Sequence, residues 1–157
     1  MPITLSPPAT AADFAALAAM ARDLAVFHGD DFHPSADTLQ RDHGIWYRAV
    51  LARTAQGEVV GFAAWFPFYH AQNAERNLEL QTLFVVPASR SHGIGERLVA
   101  HVAAEAVRLD CACLRIGVRK ANIRAAAFYR RIGCRLLDRG DTWACRLEGE
   151  ALQRLAG

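Results

Sequence analysis

Arg90-Ser91-His92-Gly93-Ile94-Gly95 is the stretch best equipped for chemistry, because two glycines and a cation stand where an apolar run meets a helical pattern. LFVVP enters the turn and GIGERLVAHVAAEAVRL leaves it. A strand that passes into a helix this way leaves backbone N–H groups unpaired at the positive end of the helix dipole. Such groups bind phosphate or pyrophosphate without a dedicated side chain, and Arg90 adds a full positive charge. Gly93 and Gly95 let the backbone approach a ligand closely. No Gly-Lys-Ser/Thr follows, so this is not a Walker A loop, and two glycines are too few for the dinucleotide fingerprint. As a bare pattern it leaves both phosphate binding and an ordinary helix start open. Taken alone, Tyr129 is a core aromatic of an amphipathic helix and Asn122 a helix N-cap. Cys111, Cys113, Cys134 and Cys145 include one close pair, C-x-C, without the paired CxxC or histidine spacing of a zinc site. Buried reduced thiols and no metal are expected.

The elements that must position these residues follow from period and punctuation. The 157 residues fit one domain, 1–157, and 52% hydrophobic content supports a core. A net charge of +2 without a Lys/Arg block argues against a nucleic-acid partner. No apolar run approaches the ~20 residues that cross a bilayer, and MPITLSPPAT lacks the pattern of a signal peptide, so a cytoplasmic protein without a membrane partner is expected. Ile3–Leu5 reads as a strand. Thr10 caps a helix over AADFAALAAMARDLAVF with Asp13 at N3, close to a capping box. Ser35 caps a second helix, ADTLQRD. YRAVLART, EVVGFAAWFPFYH and LELQTLFVV form an antiparallel meander, with a polar turn over Gln72–Asn77 before the last. CLRIGVRK is a strand parallel to LFVV, reached by a right-handed crossover through the Gly-rich helix. NIRAAAFYRRI is a helix stopped at Gly133, CRLLDR and TWACRLEG close the chain as a hairpin, and EALQRLAG is an amphipathic tail. The fold class is mixed α/β, a mostly antiparallel twisted sheet with one splayed parallel pair and helices on both faces. Ligands in such sheets go to the C-terminal ends of parallel strands.

Asn122, Ala126, Phe128, Tyr129 and Gly133 fall in the order N-x-x-x-A-x-F-Y-x-x-x-G. Together with LFVVPASRSHGIG, they resemble the two central motifs of the GNAT superfamily of acetyl-coenzyme A-dependent N-acetyltransferases, nearest its diamine/polyamine branch. The resemblance implies that the backbone from Arg90 through Ser91, His92, Gly93 and Ile94 to Gly95 holds the coenzyme A pyrophosphate, with Arg90 pairing a phosphate. Leu83, Phe84 and Val85 would hydrogen-bond the pantetheine arm as an added pseudo-strand. Asn122 would bond the same arm, and Tyr129 would be the general acid that protonates the leaving thiolate. Acetyl-CoA is thereby the expected co-substrate.

The chemistry expected is direct attack of a neutral primary amine on the thioester, on a small amine or amino-acid-like molecule. A protein or peptide acceptor, or a non-catalytic acyl-CoA sensor on the same fold, are the alternatives. The branch carries a Glu-Asp pair on the strand before LFVV, and here those positions read Gln81-Thr82. Neither takes a proton from an ammonium. Glu79, two residues back on the same strand face as Gln81, is the replacement base, with a solvated edge carboxylate as the plainer reading. Asp30, Asp31 and His33, in the loop after the first helix, either line the amine site or form an exposed charged loop. A homodimer is expected, because the open sheet and amphipathic tail want cover.

Overall fold

The computed structural model describes residues Met1–Gly157. Chain order is β1 (Ile3–Ser6), α1 (Ala11–Phe27), α2 (Ala36–Asp42), β2 (Arg48–Thr54), β3 (Val59–His70) and β4 (Glu75–Val85). A 3₁₀ turn, Pro87–Ser89, leads to α3 (Ile94–Arg108), β5 (Cys113–Arg119), α4 (Ile123–Arg131), β6 (Arg135–Arg139), β7 (Thr142–Glu148) and α5 (Gly149–Ala156). The strands form one seven-stranded sheet ordered β1-β2-β3-β4-β5-β7-β6, so β7 inserts between β5 and β6. The parallel pair is β4 with β5, and β1–β2, β5–β7 and β6–β7 are antiparallel.

One expectation needs correction. The polar turn before β4 does not extend to Asn77: the chain reverses at Ala74, whose φ is +53°, and Glu75-Arg76-Asn77 already belong to the strand. Pairing with β5 explains this, since Asn77 stands opposite Cys113 and the Ala112 N–H donates to Arg76 O at 2.8 Å. By the same register, β5 runs parallel to β4, as expected, but the pairs fall on Asn77–Leu80 and leave LFVV beyond the last one, in keeping with a splayed pair.

The chain divides into two compact units, Met1–Ala64 with Thr82–Leu98, and Trp65–Gln81 with Val99–Gly157. In the first, Leu17 and Met20 of α1 pack on Ala49 and Leu51 of β2, Phe62 and Ala64 of β3 and Phe84 of β4. Thr10 and Asp13 make a full capping box at the start of α1, and Asp13 also accepts from Arg53 Nη2 on β2 at 2.7 Å. One carboxylate therefore starts the helix and fastens it to the sheet. Gly61 brings β3 against β4 so closely that a Cβ there would stand 2.8 Å from Phe84 O.

In the second unit, Leu78, Leu80, Leu114, Ile116 and Leu147 are buried core residues of β4, β5 and β7. Residues of the opposite parity form a charged row in register: Glu79 faces Arg115, Arg115 faces Arg146, and Arg146 faces Arg135. The tail helix α5 is covered by its own chain, with Leu152 only 2% exposed. Gly133, at φ +102°, ends α4 where a Cβ would come within 3.1 Å of Ala151. Leu152 is thus packed within the chain, while Leu155 keeps partial exposure.

Candidate active site

Each unit carries some of the residues that the sequence singles out. In the first, Val86 N–H donates to Val60 O at 2.9 Å, which anchors the end of β4 before the chain turns through Pro87–Ser89. Ser91 (φ +67°) and Gly93 (φ +74°) then take left-handed backbone conformations on either side of His92. Such alternation turns successive N–H groups toward one side and makes an anion-binding concavity. Gly93 O accepts from Arg97 N–H at 3.1 Å, as the first carbonyl of α3, so the N–H groups at the helix start have no intrahelical acceptor. No atom stands within 4 Å of where a Gly93 Cβ would be. This open, donor-lined cradle fits a pyrophosphate.

The side chains around the cradle are tied back to the chain. Arg90 donates from Nε to Val85 O at 2.9 Å, and its guanidinium lies 5.7 Å over the Phe84 ring. That aims its terminal nitrogens without using them. His92 donates from Nδ1 to Arg90 O at 2.9 Å. Ile94 is buried and pins the first turn of α3, leaving Gly95 partly exposed. Phe84 faces the core, so only its backbone remains for a ligand, with Leu83 and Val85 partly exposed beside it.

Farther back in this unit, Asp31 and His33 bind each other at 2.8 Å, and both are exposed. The Asp30 N–H donates to Ala25 O at 2.9 Å and so closes the end of α1. The loop carries charge on a fixed start, but the pairing of Asp31 with His33 leaves less for an acceptor than the sequence suggests.

In the second unit, Asn122 caps α4, its Oδ1 accepting from Ala125 N–H at 3.1 Å. Its side-chain amide nitrogen is the part left to bind a ligand. Tyr129 lies on the buried side of α4 at 5% exposure. Burial raises the pKa of its phenol well above the ordinary value, and the neighbouring thiols of Cys145 and Cys134 push the same way. Tyr129 thus keeps its proton at neutral pH. This burial fits the core-aromatic reading, and the phenol stays protonated, as the general-acid expectation requires. Burial likewise raises the thiols, Cys134 to about 12 and Cys145 to about 11, so neither is a nucleophile at neutral pH.

On β4, Glu79 is 30% exposed, with its Oε2 3.9 Å from Arg115 Nε. Burial raises its pKa above 4.5, against the opposing pull of Arg115. Gln81, one step farther along β4, is exposed. The β4–β5 ladder ends at Leu80 opposite Ile116, so Gln81 and Gly117 lie just past the last paired residues, and no atom stands within 4 Å of where a Gly117 Cβ would be. Sequence reasoning named Glu79 and Gln81 but passed over Arg115 and Gly117. The signal was present in CLRIGVRK, where residues 115, 117 and 119 alternate against an apolar face.

Comparison with known proteins agrees with this geometry. Residues 17–134 match the acetyltransferase (GNAT) family. Thialysine N-epsilon-acetyltransferase of Bos taurus is 34% identical over 120 residues, 71% of this chain and 70% of that protein. L-ornithine N5-acetyltransferase NATA1 of Arabidopsis thaliana is 32% identical over 98 residues, 62% of this chain but only 42% of its own length. Among solved structures, a phosphinothricin acetyltransferase from Sinorhizobium meliloti in complex with AcCoA superposes with a TM-score of 0.76 at 21% identity, covering 93% of this chain and 87% of that one. YncA of Salmonella typhimurium with acetyl-CoA gives 0.75 at 19%, covering 94% of each chain. The cradle before α3, the capped α4 with its buried tyrosine and the match over residues 17–134 lead to one conclusion: this chain belongs to the GNAT family of acetyltransferases.

Proposed function

We propose that this chain, as a single acetyltransferase domain, transfers acetyl from acetyl-CoA to a primary amine of a small molecule such as a diamine, polyamine or amino-acid-like acceptor. The names of the bovine and Arabidopsis relatives, for thialysine and ornithine, support a small aliphatic amine. Acetyl-CoA, when bound, supplies a thioester whose carbonyl carbon the amine nitrogen attacks as the C–S bond breaks. The N–H groups from Arg90 to Gly95 and the terminal nitrogens of Arg90 would hold the pyrophosphate, and the Asn122 amide would orient the arm. Backbone donors near Leu83 would polarise the carbonyl.

Proton handling falls to two side chains. An alkylammonium has a pKa of ~10.4, so fewer than about one in a thousand acceptor molecules are neutral at pH 7. Glu79 is the group to take the ammonium proton, directly or through ordered water, because Gln81 and Thr82 cannot. Tyr129 would give its phenolic proton to the departing sulfur, and the second nitrogen proton, shed as the amide forms, would return through water to restore the phenol. The observation that carries the reading is the family match over residues 17–134, with Tyr129 on the helix that Asn122 caps; burial keeps its phenol protonated. Tyr129→Phe tests it. Turnover falls roughly 10²- to 10⁴-fold, the range for a positioned general acid, while calorimetry finds acetyl-CoA affinity kept. Unchanged turnover would remove the acid from the scheme and favour a non-catalytic acyl-CoA binder. The homodimer belongs to this reading as well, and sedimentation velocity measures it.

A further inference from the structure

We propose that Arg115 recognises a carboxylate on the acceptor, so that the preferred substrate is an amine that also carries a carboxylate rather than a plain diamine or polyamine. The inference rests on the small-amine reading above and narrows it. Arg115 differs from the other two arginines in its row. Arg135 and Arg146 share the Glu148 carboxylate, at 2.7 and 3.0 Å. For Arg115 the nearest carboxylate oxygen, from Glu79, is 3.9 Å away, beyond hydrogen-bond reach. Its guanidinium is nevertheless held in place, 5.0 Å over the Phe68 ring. A planar fork stacked on an aromatic is pre-organised for bidentate contact with a carboxylate, and little entropy is lost when it binds.

Position supports the same role. The Arg115 side chain is 38% exposed, and its face of β5 continues to the open position at Gly117, beyond the last paired residues of β4 and β5. Glu79, the candidate base, stands opposite it in register. A cation and a carboxylate too far apart to satisfy one another, on one exposed sheet face, complement an acceptor with both charges. A polycation would meet Arg115 as a repulsive neighbour, a means of discrimination as useful as attraction. The Gln81-Thr82 departure from the polyamine pattern points the same way, because it removes negative charge from this strand.

Ornithine and 1,4-diaminobutane, which differ only by the carboxylate, make the test. Wild-type protein is expected to favour ornithine in kcat/KM, and Arg115→Gln to lower the ornithine-to-diamine ratio about 10- to 100-fold, as loss of a charge-assisted hydrogen-bond pair implies. Arg115→Lys, which keeps the charge without the fork, is expected to recover part of the ratio. Ornithine methyl ester given to wild-type protein measures the same contribution without a mutation, and it should be acetylated as poorly as the diamine. A ratio within about twofold of wild type in both variants overturns the proposal and leaves Arg115 as an electrostatic neighbour of Glu79, acting alike on both amines. Transfer to the diamine but not to ornithine overturns it while the proposed function stands. Transfer to neither overturns both.

Discussion

At the residue scale, burial moves two proton-carrying groups in one direction with opposite consequences. It favours the neutral form of both Tyr129 and Glu79. For an acid the neutral form is the working one, so Tyr129, as the proposed acid, would be protonated across the neutral range. For a base it is the idle one, so Glu79, as the proposed base, would work only above its raised pKa. The sign follows: activity rises with pH as Glu79 ionises, on a limb that lies above pH 4.5, the ordinary value from which Glu79 is raised. Glu79→Gln is expected to lower kcat/KM by about 10²-fold or more and to flatten that limb in a pH–rate profile. A limb that survives the substitution assigns proton removal to water. The motif order made the Asn122 cap and the α4 helix that carries Tyr129 legible, since spacing within one helix is a local property. It could not expose the state of Glu79, because desolvation depends on neighbours from other strands.

At the element scale, the start of α1 shows how a local signal becomes a tertiary one. Thr10 and Asp13 were legible as a capping box, and both reciprocal bonds form. The second partner of Asp13, Arg53, stands 40 residues away and emerges only from packing. Burial pushes the Asp13 carboxyl upward, but the N–H groups of Ala9 and Thr10 and the Arg53 guanidinium outweigh it and hold the pKa at about 2. A depressed carboxylate contributes stability that is fully present above its unfolded pKa and lost as pH falls through the folded one. Asp13 should therefore contribute about 2 kcal/mol above pH ~4, vanishing toward pH ~2. Urea denaturation of Asp13→Asn across this range is expected to show a deficit of at least that size at pH 7, with the difference closing in acid. A constant difference would mean that the carboxylate charge is not what matters. The β4 boundary was misread for the complementary reason: Glu75-Arg76-Asn77 look like a turn by composition, and only their pairing with β5 makes them strand.

At the scale of the whole molecule, ligand and fold are linked by mass action. A ligand bound only by the native chain stabilises it by about 2.7 kcal/mol at 100 times its Kd. For a chain of this length that raises Tm by roughly 5–10 °C. Acetyl-CoA is expected to give a shift of this order, and acetyl-pantetheine, which lacks the pyrophosphate, to give little at the same concentration. Equal shifts would relocate the affinity away from the cradle at Arg90–Gly95. No helix is long and apolar enough to cross a membrane. Helices, caps and the Gly-rich turn were readable from the residues alone, because each depends on contacts within a few positions along the chain. The insertion of β7 between β5 and β6, the register that leaves Gly117 beyond the last β4–β5 pair, and the 3.9 Å gap between Arg115 and Glu79 were not. Strand order and register are fixed by pairing between distant segments, and the charge state and freedom of a side chain by whatever those pairings bring beside it.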